Sequence, residues 1–176
     1  MQLAKSCLAA TILVLRSSTA CNRKPAYEWH MVDAPDGTFS VSLPGDAAKV
    51  DTPTKSVTGG SFIAHGLNVR ASKDAVYGGS WWEDPSRPTG QTAEQILDIA
   101  RDGGLSSTNA KLLSEKRLTF QGHSARDIRA IARGNAAYDN RVVVVVNRLY
   151  TLLVIDASGR HGTESIEKFF NSLQFH

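Results

Sequence analysis

Tyr138-Asp139-Asn140-Arg141-Val142-Val143-Val144-Val145-Val146 is the stretch whose reading decides the fold. Its five consecutive valines run from Val142 to Val146. β-Branched side chains are stiff at χ1 and suit extended backbone. An apolar run without alternation suits a central strand covered on both faces. The sequence therefore predicts such a strand over Tyr138 to Val146, with Asn147-Arg148 turning tightly into a second strand, Leu149 to Asp156. Upstream, Lys111 to Phe120 alternates loosely as a strand, Gln121-Gly122 offers a turn, and Arg126 to Arg133 runs back.

Moving toward the N-terminus, Phe39-Ser40-Val41-Ser42-Leu43 alternates apolar and small polar residues, as a strand with one buried face does, and Pro44-Gly45 stops it. Ser61 to Arg70 and Ala75 to Glu83 form a further strand pair around Ser72-Lys73-Asp74, closed by Asp84-Pro85. A helix follows. Thr92-Ala93-Glu94-Gln95 fits a capping box, Ile96, Leu97, Ile99 and Ala100 give an apolar stripe, and Gly103-Gly104 offers a C-terminal stop. Thr163 caps a closing helix, Glu164 to Ser172, whose core face is Ile166, Phe169, Phe170 and Leu173.

The order is three strands, helix, four strands, helix. Consecutive hairpins imply a mostly antiparallel sheet of about six to seven strands, with two helices burying its faces. The predicted class is α+β.

Four segments carry a resemblance in their order: Phe39-Ser40-Val41-Ser42-Leu43-Pro44-Gly45, Gly122 to Asp127, Arg148-Leu149-Tyr150, and Phe169-Phe170-Asn171-Ser172-Leu173. Over residues 37–176 the chain resembles the Mog1/PsbP-like α/β/α sandwich domains of bacterial exported proteins, including DcrB-like lipoproteins. Members often carry Pro-Gly-Arg-Glu in the middle motif, where Ser124-Ala125-Arg126-Asp127 stands here. The resemblance implies a binding or accessory protein and carries over no catalytic residue.

The first 21 residues read as an export signal. Met1 to Ser6 carries Lys5, Cys7 to Leu15 is apolar, and Ser18-Thr19-Ala20 supplies small residues before Cys21. A run of nine residues is too short to span a bilayer core, which needs about 20. Ser18-Thr19-Ala20-Cys21 resembles a lipobox, although Ser18 stands where an aliphatic residue is usual. An ordinary signal peptidase would also accept Ser18-x-Ala20 and release a soluble, periplasmic or secreted protein. Cleavage removes Cys7 and leaves Cys21 as the one cysteine, without a disulfide partner. That arithmetic favours Cys21 as a lipid attachment site. Two or three acyl chains anchor a protein stably. Asn22 follows it, and the absence of an Asp at that position leans toward the outer membrane. Residues 22–36, with Pro25 and Pro35, read as a tether, leaving residues 37–176 as the domain.

Without residues 1–21, which hold Lys5 and Arg16 and no acid, 18 basic residues face 17 acidic ones. A net charge of +1 gives no dense basic face for nucleic acid.

The remaining chemistry is sparse. His30, His65, His123, His161 and His176 show no HxxxH, HxH or HExxH spacing, though folding could bring His65 and His123 to Asp127 or Glu83. Gly79-Ser80-Trp81 lies within a strand and is no nucleophile elbow. Gly59-Gly60, Gly78-Gly79 and Gly103-Gly104 match no nucleotide-binding pattern. No catalytic residue, metal site or cofactor is assigned. Arg126-Asp127, Arg129 and Arg133 read as a solvated strand face with cross-strand ion pairs. Trp81 and Trp82 point to opposite faces of their strand. One ring then fills core, and the other, with Tyr77, Glu83 and Arg87, forms a ligand or partner surface, unless both rings are packed beneath helices. The functional expectation is a lipid-anchored bacterial envelope protein facing the periplasm, non-catalytic, in contact with the membrane and an envelope protein partner. The alternative is a small periplasmic hydrolase or metal-dependent enzyme.

Overall fold

The computed structural model describes residues 28–56 and 59–176. The export signal, Cys21 and the first part of the tether lie outside the described residues.

Two sheets form the domain. The larger has seven strands in the order β3-β4-β5-β9-β8-β7-β6. These are β3 Ala48–Lys55, β4 Ser61–Arg70, β5 Ala75–Glu83, β6 Lys111–Phe120, β7 His123–Ala132, β8 Ala136–Val145 and β9 Arg148–Asp156. Every neighbouring pair is antiparallel. The smaller sheet is β1 Trp29–Asp33, β2 Phe39–Pro44 and β10 Gln174–Phe175, in the order β1-β2-β10. Helix α1 is Ala93–Ser107 and helix α2 is Glu164–Asn171. The α+β class and the antiparallel sheet between two helices are as the sequence predicts; the second sheet is an addition.

The valine run behaves as its composition demands. All of β8 is buried except Val145 at its end. On one face Val142 and Val144 join Ile128, Ala130, Tyr138 and Leu149 under Ile96 and Leu97 of α1. On the other, Val143 joins Tyr150, Leu152 and Val154 beneath β2 and the Ile166, Phe169, Phe170 and Leu173 face of α2. The molecule is thus layered as α1, large sheet, then small sheet with α2. Both helix starts follow sequence chemistry. Thr92 Oγ1 accepts from the Gln95 N–H at 3.3 Å while Gln95 Oε1 accepts from the Thr92 N–H at 2.9 Å, and Thr163 accepts from the Ile166 N–H.

Four expectations need correction. Residues 29–33, inside the expected tether, form β1 and pair with β2 from Trp29↔Pro44 to Asp33↔Ser40. Ala48–Lys55, to which the sequence reading assigns nothing, is the edge strand β3; its exposed polar side chains and Pro53 conceal it, and they are what an unpaired edge requires. Helix α1 runs through Gly103-Gly104, because the left-handed residue that ends it is Asn109 (φ 49) after the cap at Thr108. The β8–β9 turn is Val146-Asn147, with Val146 at φ 54.

Candidate functional site

Helix α1 packs over β7 and β8 and leaves the same face of β9, β5, β4 and β3 without a helix. The step between helix and bare sheet is a groove of about 420 Å³. Strand alternation selects its floor: Phe62 and Ala64 of β4, Trp82 of β5, Leu149, Thr151 and Leu153 of β9, and Tyr138 and Asn140 of β8. Its wall is one stripe of α1 at helical spacing, Ile96, Ile99, Ala100, Gly103 and Ser107. The β5–α1 connection closes one end with Asp84, Arg87, Pro88 and Gln91. The size lies within the range of small-molecule sites, roughly 300–1,000 Å³.

The floor is aromatic at one end and polar at the other. Phe62 and Trp82 stack with their planes 12° apart and their centroids 6.2 Å apart. Deeper under α1, the Asn140 Nδ2 donates to the Tyr138 hydroxyl at 3.0 Å. The helix can settle on that pair because residue 104 is glycine: a Cβ there would stand 2.7 Å from the Tyr138 hydroxyl oxygen. Gly103, by contrast, faces open space, and a Cβ there would meet nothing within 4 Å.

Asp84 is the anion at the mouth. Burial works against its carboxylate, yet hydrogen bonds from the Ser56 and Ser86 hydroxyls and the Ser86 N–H hold its pKa below the ordinary value, with the charge of Arg87 adding to them. Arg87 Nη1 donates to the Asn147 carbonyl at 3.2 Å. Thr151 shares a 2.7 Å hydrogen bond with Ser80. Among the described residues the lining contains no histidine, cysteine or glutamate, and its hydroxyls have no imidazole beside them.

The structure divides the four residues singled out with the tryptophan pair. Trp82 and Arg87 line the groove together. Tyr77 and Trp81 are 4% and 3% exposed on the opposite face, so the expected joint surface does not form. Tyr77 meets Trp29 and Phe169 edge-on, and Trp81 meets Phe39 likewise while its Nε1 donates to Asp36 Oδ2 at 3.1 Å.

The histidines stay apart. His65 Nδ1 lies 2.8 Å from Asp51 Oδ1 with its ring stacked on Trp81; His161 Nδ1 lies 3.0 Å from Asp139 Oδ2; His123 meets Phe175 edge-on; His176 lies 3.2 Å from the Ser40 hydroxyl. Asp127 binds Arg141 and Glu83 binds Arg148, so neither acid joins His65 and His123. Among the described residues no three metal-ligating side chains gather.

Sequence reasoning misplaced Arg126. It is 0% exposed, and Glu94, Asp98 and Glu115 surround its guanidinium at 2.9, 2.5 and 2.6 Å. The face of β7 that carries Arg126 is covered by the first turns of α1, whose Glu94 and Asp98 point down onto it. On the other face Asp127 and the exposed Arg129 pair across to Arg141 and Asp139, the cross-strand ion pairs expected.

Among solved structures, the fold is similar to cyanobacterial PsbP (CyanoP) from Synechocystis sp. PCC 6803, with a TM-score of 0.58, 14% identity, and coverage of 89% of this chain and 98% of that one. A protein of unknown function from Pseudomonas aeruginosa, PA94, described as a putative regulator, overlaps with a TM-score of 0.38 at 12% identity, covering 74% of this chain and 85% of that one. No family model and no curated protein matches the sequence. The fold is PsbP-like; at this identity the likeness extends to the fold alone.

Proposed function

We propose that this protein is a non-catalytic binding or accessory protein of the bacterial cell envelope, that lipid on Cys21 holds it at the membrane, and that the groove beside α1 holds an apolar ligand. The observation that carries the binding role is the groove itself: about 420 Å³ of space floored by Phe62, Trp82, Leu149 and Leu153, which the fold leaves without a helix. An apolar lining with a few convergent polar groups is the make-up of small-molecule sites. The address rests on the sequence: the small-residue run Ser18-Thr19-Ala20 before the one cysteine left after cleavage, and Asn22 after it. The DcrB-like resemblance supports the same reading. Outer-membrane attachment facing the periplasm is favoured, and an envelope protein is the expected partner.

Two measurements test the proposal. N-phenyl-1-naphthylamine, an apolar fluorophore, is expected to bind with saturable one-to-one enhancement. Gly103→Leu and Ala64→Phe, which fill the groove from helix and sheet, are expected to weaken it about tenfold or more. Unchanged affinity in both variants overturns the groove. Intact-mass analysis of the membrane-extracted protein is expected to show a chain beginning at acylated Cys21; an unmodified, freely soluble chain overturns the anchor.

A further inference from the structure

Among the described residues three buried side-chain polar atoms have no hydrogen-bond partner: Gln91 Oε1, Asn140 Oδ1 and Arg126 Nε. Two of them are oxygens, and both residues line the groove. An unmet buried acceptor is costly, which is why native interiors leave few of them. Asn140 is the deeper, at 4% exposure, and its Nδ2 is already committed to the Tyr138 hydroxyl. With the amide placed so, the oxygen, an acceptor, is the atom left over. Leu153, its register partner on β9, lines the floor beside it, and no charged side chain stands at this end; Lys55, Asp84 and Arg87 are at the Phe62 and Trp82 end.

We propose that the groove selects a neutral, apolar small molecule carrying one N–H or O–H donor, and that Asn140 reads that donor through Oδ1. The proposal rests on the groove being a ligand site and adds what the ligand must carry. A hydrocarbon would fit the floor but leave Oδ1 unmet. An ammonium would meet it at the cost of burying a charge without a counter-ion. A neutral donor satisfies both. Tyr138 keeps the site uncharged, since burial pushes its phenol above the ordinary value and holds the hydroxyl protonated. Sites built to hydrogen-bond one group reject the analogue lacking it, because the buried partner is then left unpaired.

A matched pair of probes tests this on the whole domain. N-phenyl-1-naphthylamine carries one N–H; 1-phenoxynaphthalene has nearly the same shape with an ether oxygen in its place, and its affinity is read by displacement of the first. The wild-type protein is expected to prefer the N–H probe by about tenfold or more. Asn140→Leu, similar in volume, is expected to bring the ratio to about one. Equal affinities in the wild type overturn donor recognition while leaving the groove as a binding site. Binding of neither probe overturns the groove and this inference together. A preference that persists in Asn140→Leu overturns Asn140 as the reader. The wild-type ratio needs no variant, so the proposal remains falsifiable even if Asn140→Leu fails to fold.

Discussion

Arg126 Nη1 donates to Asp98 Oδ1 at 2.5 Å from a guanidinium with no solvent exposure. The same guanidinium reaches Glu94 and Glu115, so one cation on β7 holds the first half of α1 to the sheet, while Arg101 binds Asp98, Asp102 and Glu115 from the helix side. Removing it takes away the one cation that touches all three acids and leaves Arg101 and Arg117 on them. Arg126→Leu is expected to destabilise the fold by about 1–3 kcal/mol through the lost charge-assisted hydrogen bonds, since Glu94 and Asp98 are partly exposed. Urea unfolding reads it, and an unchanged midpoint would mean that α1 is held by Ile96 and Leu97 alone.

Acid should act on the same contact. The hydrogen bond from Arg126, with the charges of Arg126 and Arg101, holds the Asp98 pKa below its ordinary value. A depressed folded-state pKa gives stability that is fully present above the unfolded-state value and is lost as the pH falls through the folded one. Wild-type stability is therefore expected to drop below about pH 4, and Asp98→Asn to flatten that drop. Parallel profiles of urea midpoint against pH for the two proteins would contradict this.

Asp139 should show the opposite sign. It is buried in β8, and burial raises its pKa more than His161, Arg129 and the Gly162 N–H lower it. A raised folded-state pKa gives stability that is present at low pH and lost as the pH rises through that value. Asp139→Asn is expected to be more stable than the wild type at pH 7 and no more stable near pH 3. A variant less stable at pH 7 would show that the ion pairs outweigh burial.

The glycine pair in α1 separates cleanly. Gly103 faces open space, so Gly103→Ala is expected to stabilise the fold by up to about 1 kcal/mol through helix propensity. At Gly104 the new Cβ would crowd the Tyr138 hydroxyl at 2.7 Å, so Gly104→Ala is expected to destabilise by about 1–3 kcal/mol. Thermal melts of the two variants decide, and shifts in the same direction would contradict the close approach of α1 to β8.

Val146 is 83% exposed at φ 54, a conformation that β-branched residues resist. Val146→Asn is expected to gain about 1 kcal/mol, raising Tm by roughly 2–4 °C. A lower Tm would show that the valine makes a contact worth more than its strain.

What the sequence made legible was what its side chains state locally. The valine run, the Thr92 and Thr163 caps and the apolar face of Glu164 to Ser172 each specify an element by composition and spacing. What it hid depends on neighbours. Strand β3 is polar because it is an edge, and Arg126 is buried because acids forty or fewer residues away fold over it. The glycines looked like a helix stop, since nothing in sequence reveals that Tyr138 presses on one of them. Trp82 and Arg87 could be named from the sequence, with Tyr77 and Trp81, as a ligand or partner surface; Asn140 could not, because its signal is an oxygen without a partner, which only a folded neighbourhood defines.

The central claim is that the face beside α1 is a binding site, and mapping N-phenyl-1-naphthylamine onto the backbone amide NMR spectrum tests it most directly. The account predicts shifts confined to Phe62, Trp82, Gly103, Gly104, Asn140 and Thr151, with Tyr77, Trp81 and Phe169 on the far face unmoved. Shifts centred on that far face, or none at saturating probe, would contradict it.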